Sequence, residues 1–359
     1  MALRHWRRSR AAAVANGSVA AARDDGETLV GTGRLVEVID LLTEVNRRQR
    51  DPKIEEQLVQ LRLDAFTPGS CSPAPPERSL VTGDLFGSGE PPEVSAVDLT
   101  PETLRRAILG HGCLLVRGLV EGSRIDRLVD DIDQAFAGYD AHLDGTPVAE
   151  TAPWYVPFGA YPDPIDREWV RAGGGVLAVD SPRALFDVIE TFEESGIGEL
   201  ATAYLGGRPA LLAKKWTLRR MHADQCEPGE SHGSGDAGWH QDGAFMGQNI
   251  RSLDVWLTLS DCGDDAPGLD IVAQRLDHIV ETGTEGADFD WTVAPSVAER
   301  TAQGSIVSPI FAPGDALLFD HLLLHRTGVH DGMTRDRYAI EAWFAAPSNY
   351  PADMLPIVY

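Results

Sequence analysis

The sequence predicts a mainly β protein: an antiparallel sandwich or jelly roll with helices packed outside it, behind an N-terminal helical extension. Two observations carry this expectation. Short apolar runs punctuated by Gly, Asp and Pro dominate the second half: PALLAKKWTL, SLDVWLTLS, GLDIVA, GSIVSPIF, DALLFDHLLLH and RYAIEAWFA. Ahead of them lie patterns with helical period, and strands following a helical lead-in give this architecture. At 359 residues the chain is about 2.4 times a typical 150-residue domain, so one large domain with an appendage, or two domains, is expected.

The first 23 residues hold five arginines and no acid, and residues 1–30 read as a disordered basic tail. The same Arg- and Ala-rich composition also matches an organelle transit peptide. Residues 31–66 predict a helical hairpin. Leu35, Val38, Ile39, Leu42 and Val45 line one face, and Asp51-Pro52 supplies an N-cap with Pro at the first helical position. Ile54, Leu58 and Leu61 then line the second helix. This stripe needs cover, either from the main domain or from another copy of the chain, which makes a homo-oligomer through these helices an expectation. Residues 67–95 are rich in Pro, Gly and Ser and read as a linker. The main domain is expected over 96–359. It opens with a helix from Thr100-Pro101 to Gly110, the strand HGCLLVRGLV, and a helix through Ile125, Leu128, Val129, Ile132 and Phe136.

Composition narrows the partners. There are 55 Asp and Glu against 31 Lys and Arg, a formal charge of −24. Such a surface repels phosphate backbones and anionic headgroups, so neither nucleic acid nor a membrane is expected to bind. No apolar run approaches the length of a membrane span. The four cysteines (Cys71, Cys113, Cys226 and Cys262) form no CxxC pair, which argues against a disulfide framework and fits a reducing, cytoplasmic compartment.

The chemistry centres on Trp239-His240-Gln241-Asp242-Gly243. On a strand, His240 and Asp242 would share a face while Trp239 and Gln241 point away. His325, 85 positions later at the end of ALLFDHLLLH, can supply a third ligand. Two imidazoles and one carboxylate on one face form the triad that holds Fe(II) while leaving positions open for co-substrate and oxygen. His222-Ala223-Asp224 repeats the spacing, but it runs into the acidic segment QCEPGESHGSGD and is set aside. His321, four residues before His325, is read as a neighbour of the site, with the ligand role as the alternative. His5, His111, His142, His232, His278 and His330 read as ordinary core or surface histidines.

Arg337 opens an apolar strand, where a guanidinium needs an anion to offset its desolvation. Arg335 is its competitor, in the polar loop HDGMTRD, and Thr327 could offer a hydroxyl to the same anion. Lys214, Lys215, Trp216, Arg219 and Arg220 crowd one strand; alternation sends either the odd or the even positions inward. The aromatic segment with Trp154, Tyr155, Phe158 and Tyr161 is either a lid or rim packing. Gly173-Gly174-Gly175 lacks the spacing of a phosphate loop.

Residues 97–347 resemble the phytanoyl-CoA dioxygenase-like family of Fe(II)/2-oxoglutarate-dependent oxygenases. The resemblance is strongest in GWHQDGAF with SLDVWLTLSDC and APGLDIV, and in PGDALLFDHLLLHRTGVHDGMTRDRYAIEAWFA. It implies a double-stranded β-helix, iron held by His240, Asp242 and His325, and 2-oxoglutarate anchored through its far carboxylate by Arg337 and Thr327. It also implies O2 as oxidant, a small-molecule substrate, and release of succinate and CO2, with hydroxylation as the default outcome. Two departures stand out: the loop between His325 and Arg337 is one residue longer than the commonest spacing, and AQRLDH replaces the family's Pro-Gly-Ser-His turn. The rival expectations are a non-catalytic jelly-roll binding or regulatory protein with a vestigial or structural metal site, and a zinc hydrolase, which leaves Arg337 without a role.

Overall fold

The computed structural model describes residues 34–69, 90–222 and 238–359. The expected basic tail, most of the linker, and His5, Cys71, Asp224, Cys226 and His232 lie outside the described residues.

Helices α1 (Leu35–Arg48) and α2 (Pro52–Asp64) form an antiparallel pair, the second opened by Asp51, whose carboxylate accepts from Lys53 N. Their buried residues, among them Val38, Ile39, Leu42, Ile54, Leu58 and Leu61, close on Phe186 of α7 (Pro182–Glu194). Each such side chain contributes about 1.5–3 kcal/mol when fully removed from water. Around this apolar contact, Arg183 pairs with Glu55 at 2.6 Å, Arg47 with Glu190 at 2.8 Å, and Arg50 with Asp187. The stripe that the sequence left without a partner is therefore covered by the same chain.

The remaining helices are α3 (Pro101–His111), α4 (Gly122–Leu143), α5 (Val148–Thr151), α6 (Pro164–Ala172), α8 (Ile197–Leu205), α9 (Gly243–Met246) and α10 (Pro295–Ala302). Thr100 caps α3 by accepting from Thr103 N, and Gly112 ends it at φ 91°, a left-handed conformation that costs glycine little.

The strands are β1 (Glu93–Ser95), β2 (Cys113–Arg117), β3 (Gly175–Leu177), β4 (Ala210–Met221), β5 (Ser252–Thr258), β6 (Gly268–Val272), β7 (Ile306–Val307), β8 (Ala316–Phe319), β9 (His325–Gly328), β10 (Arg337–Ala345) and β11 (Pro356–Val358). Eight of them make a large sheet ordered β1-β2-β8-β5-β10-β4-β11, with β3 also on β4; β7-β6-β9 make a smaller one. All pairs are antiparallel except β1 with β2.

Alternation assigns the faces. Leu253, Val255, Leu257, Ile340, Phe344, Trp216 and Leu218 pack outward among Leu104, Ile108, Phe136, Val188 and Phe192 of the helices. Trp256, Leu317, Phe319, Ala339 and Trp343 point inward to meet Leu269, Ile271 and Phe311 from the side of the small sheet. The result is a jelly roll with helices on its outer face. Tyr155, Phe158 and Tyr161 are buried in the outer, helical layer, which makes their segment packing rather than a lid.

One element departs from expectation. The run ALLFDHLLLH is not a single strand: β8 stops at Phe319 and β9 begins at His325, in the other sheet. The cause is Asp320, whose carboxylate accepts from Leu322 N at 3.0 Å and from Arg275 at 2.6 Å, and whose carbonyl accepts from Leu323 N. A side chain that bonds its own downstream backbone breaks the ladder and turns the chain. Here it carries the chain from the large sheet to the small one.

Candidate metal centre

His240 and His325 are cross-strand partners. His240 N donates to His325 O at 2.9 Å, and His325 N donates to His240 O at 3.0 Å. His240 is a single bridge residue rather than part of a strand, also bridging Thr292. Asp242 adopts helical φ/ψ (−58°, −26°) as it starts α9. The carboxylate therefore reaches the imidazoles by a turn, not by the strand alternation expected from sequence. The turn is pinned where Gly243 N donates to His321 O at 2.8 Å. A Cβ on Gly243 would sit 2.9 Å from that oxygen, so only glycine permits the approach. Trp239 and Gln241 do face away. Trp239 is buried beside Val272 and Val293, and the Gln241 amide bonds Leu322 O, His278 O and Val280 N.

Both imidazoles are oriented by the main chain. His240 Nδ1 lies 2.8 Å from Gly238 O and His325 Nδ1 lies 3.1 Å from Leu323 O. A carbonyl accepts only, so each Nδ1 carries the proton and each Nε2 presents a lone pair, the arrangement typical of metal-binding histidines. One potential ligand atom from each of His240, Asp242 and His325 lies within 4.8 Å of the others, and His325 Nε2 is 3.7 Å from Asp242 Oδ2. Among the described residues this is the one such cluster. Burial, aided by the neighbouring His325, pushes the His240 imidazole down to about 4, which keeps it neutral and able to ligate. Burial would raise the Asp242 carboxyl, but Lys215 and the two imidazoles outweigh it and hold the group below the usual range. Two neutral nitrogen donors and one carboxylate in a buried setting fit a divalent transition metal.

Lys215 was left undecided by the sequence, where the phase of its strand stayed open. Register settles it: Trp216 and Leu218 belong to the outer core, so 215, 217 and 219 point inward. Lys215 Nζ lies 3.0 Å from Asp242 Oδ1 and 3.4 Å from Glu341, and Arg219 reaches Glu341 at 2.7 Å. Asp242, Lys215, Glu341 and Arg219 thus alternate in sign beside the candidate ligands. Burial and the negative charge of Glu341 and Asp242 push the carboxyl of neighbouring Asp254 well above its ordinary value. An acid at 341, inside an otherwise apolar strand, was the available sign that β4 must send a cation inward.

Arg337 is buried at the start of β10, its Nη1 donating to Gly268 O at 3.0 Å and its guanidinium 5.6 Å from the Trp256 ring. Gly268 pairs with Gly328, the residue after Thr327, so Arg337 and Thr327 approach the same end of the small sheet. Arg335 is exposed beside Asp261. Both nitrogens of His321 are engaged, Nδ1 with Ser252 Oγ and Nε2 with Gln248 O, each at 2.9 Å. The sheet switch at Asp320 also separates His321 from the face of His325, so it serves as a neighbour rather than a ligand. His222 pairs with Asp336 at 2.7 Å.

An aromatic group adjoins the centre. The Trp291 ring stands 5.6 Å from His240 and 5.2 Å from Phe245, and it stacks on Phe289 at 5.4 Å with 7° between planes.

Comparison with known proteins places residues 110–334 in a match to the family model described as phytanoyl-CoA dioxygenase. That span contains His240, Asp242, His325 and Thr327 and ends before Arg337. No curated protein sequence matches the chain. Similar solved structures include EctD from S. alaskensis with 2-oxoglutarate and 5-hydroxyectoine (15% identity, 75% of this chain and 81% of that one, TM-score 0.45). EvdO2 from Micromonospora carbonacea var. aurantiaca with 2-oxoglutarate is another (15% identity, 68% and 89%, TM-score 0.44). A third is the epimerase SnoN in complex with Fe3+, alpha ketoglutarate and nogalamycin RO (13% identity, 68% and 83%, TM-score 0.44).

Proposed function

The chain belongs to the phytanoyl-CoA dioxygenase family, and from that premise we propose that it is a non-heme Fe(II)- and 2-oxoglutarate-dependent oxygenase acting on a small molecule. The observation that supports this most directly is the convergence of one ligand atom from each of two imidazoles and one carboxylate within 4.8 Å. His240, Asp242 and His325 would hold the iron. When bound, iron supplies oxidative chemistry in which 2-oxoglutarate and O2 become succinate and CO2 while the second oxygen atom enters a substrate C–H bond.

The protein's own residues do the rest. The two backbone carbonyls on Nδ1 keep the imidazoles in the ligating tautomer, and Lys215 orients Asp242 by drawing Oδ1 toward itself and leaving Oδ2 facing His325. A carboxylate at 242, rather than a small residue, occupies the position where a halide would have to bind, which favours hydroxylation over halogenation. Arg337 and Thr327 would receive the far carboxylate of 2-oxoglutarate, where a buried planar fork suits a bidentate partner. Exposed Arg335 has no such role.

The test is turnover of 2-oxoglutarate to succinate by the purified chain with Fe(II) and oxygen, which proceeds slowly even without substrate. Asp242→Ala should abolish it. Arg337→Ala should raise the 2-oxoglutarate concentration needed for half-maximal rate at least tenfold, and Arg335→Ala should leave it unchanged. Succinate formation that survives Asp242→Ala refutes the metal assignment, and the opposite ranking of the two arginines refutes the anchor.

A further inference from the structure

We propose that Trp169, Phe245, Phe289 and Trp291 form a preformed corner that binds a neutral, flat ring of the substrate beside His240. This names the substrate class of the site described above and rests on that function. Among the described residues, two large aromatic side chains are left well exposed, Trp169 at 45% and Phe289 at 40%. Both contact the same ring, that of Trp291: Phe289 stacked at 5.4 Å, Trp169 edge-on at 6.4 Å. Trp291 in turn touches His240, a candidate ligand. Other large aromatics among the described residues are fully buried, as at Trp216, Trp343, Phe136 and Phe192. Exposed aromatic surface gathered from separate segments of the chain, and continuous with a ring against a candidate metal-binding imidazole, is the mark of a ligand-binding wall.

The corner is held rigidly. Thr292 Oγ1 accepts from Phe289 N and donates to its carbonyl, Gly283 N donates to Thr292 O, and Val293 N donates to Trp239 O at 2.7 Å. Its surroundings are acidic rather than cationic: Lys215, 4.7 Å above Phe245, is answered by Asp242 and Glu341, while exposed Asp288 and Asp290 flank Phe289, which disfavours an anionic ligand. A rigid aromatic wall rewards an uncharged planar ring that stacks or meets it edge-on, more than an alkyl chain that must also be ordered.

The experiment measures equilibrium binding of 1-naphthol and of 1-octanol to the full-length chain, wild type and the variants Trp291→Ala and Phe289→Ala. Phe289 is exposed enough that its variant decides the matter if Trp291→Ala fails to fold. Naphthol should bind wild type at least tenfold more tightly than octanol, and either substitution should weaken naphthol at least tenfold. In parallel, the charge-transfer absorption of the anaerobic Fe(II)–2-oxoglutarate complex should form equally in wild type and variants. Octanol binding as well as naphthol, or naphthol affinity unmoved by the substitutions, overturns the inference. Absence of the absorption band in wild type refutes the oxygenase function instead, and the naphthol ranking still reads the wall.

Discussion

Replacing Lys215 with Met tests whether the ammonium acts as a built-in counter-ion for the metal-free centre. The substitution keeps the length of the side chain and removes a charge lying 3.0 Å from Asp242 and 3.4 Å from Glu341. Glu341 retains Arg219 at 2.7 Å, whereas Asp242 keeps only the two imidazoles beside it. Breaking a buried ion pair from one side costs about 3–5 kcal/mol. Because the Lys215 side chain keeps 18% exposure, about 2–3 kcal/mol is the reasonable loss here. For a domain this large that is a drop in Tm of about 4–6 °C. Saturating Mn(II), a cation inert under the assay, should restore most of the loss, because it neutralises the same carboxylate. Thermal unfolding by calorimetry with and without Mn(II) measures both quantities, and Lys215→Arg, which keeps the charge, should behave like wild type. An equal loss of stability with and without Mn(II), or weaker Mn(II) binding in Lys215→Met, would show that the ammonium is not standing in for a cation.

Two further predictions concern the supports of the site and the fold. Gln241→Ala removes three hydrogen bonds from a fully buried amide, to Val280 N, Leu322 O and His278 O, and should cost about 2–4 kcal/mol in urea unfolding; a loss below 1 kcal/mol contradicts the packing described. Burial and the adjacent Asp187 push the Asp131 carboxyl up to about 8 from 3.8, so the folded chain keeps a proton that the unfolded chain releases. Its contribution to stability is complete below about pH 4 and falls away as pH rises to about 8. Asp131→Asn stays neutral and should flatten that slope, leaving the variant more stable than wild type by about 1–3 kcal/mol at pH 8. Parallel pH–stability curves for the two proteins would rule this out.

The strands were legible because alternation and turn residues act locally, and the candidate ligands because HxD and a distant His carry their chemistry in their identity. The turn at Asp320 was not. DALLFDHLLLH has the composition of one strand, and only the Asp320 bond to Leu322 N and its pairing with Arg275, 45 positions away, break it. The inward phase of Lys215 was equally hidden. On an isolated strand both phases are equivalent, and the choice was made by pairing with β10, which supplies Glu341. The N-terminal stripe posed a third ambiguity: amphipathicity states that a face is covered, never by what. Aromatic residues were ambiguous in one place and overlooked in another. Tyr155 and Phe158 lie in a Pro-rich segment that read equally as lid or rim packing and is buried packing, while Trp291, in a loop without periodicity, is the ring that meets His240.

The reciprocal bonds between His240 and His325 join two points 85 positions apart in the chain. Closing a segment of that length is an entropic cost met once, on folding, and met by peptide groups rather than by an ion. Two of the three donors are thus brought together independently of any occupant. The intervening stretch is tied at its ends by these bonds and again where Thr292 bridges His240, so the two imidazoles stay opposite one another whether or not an ion is bound.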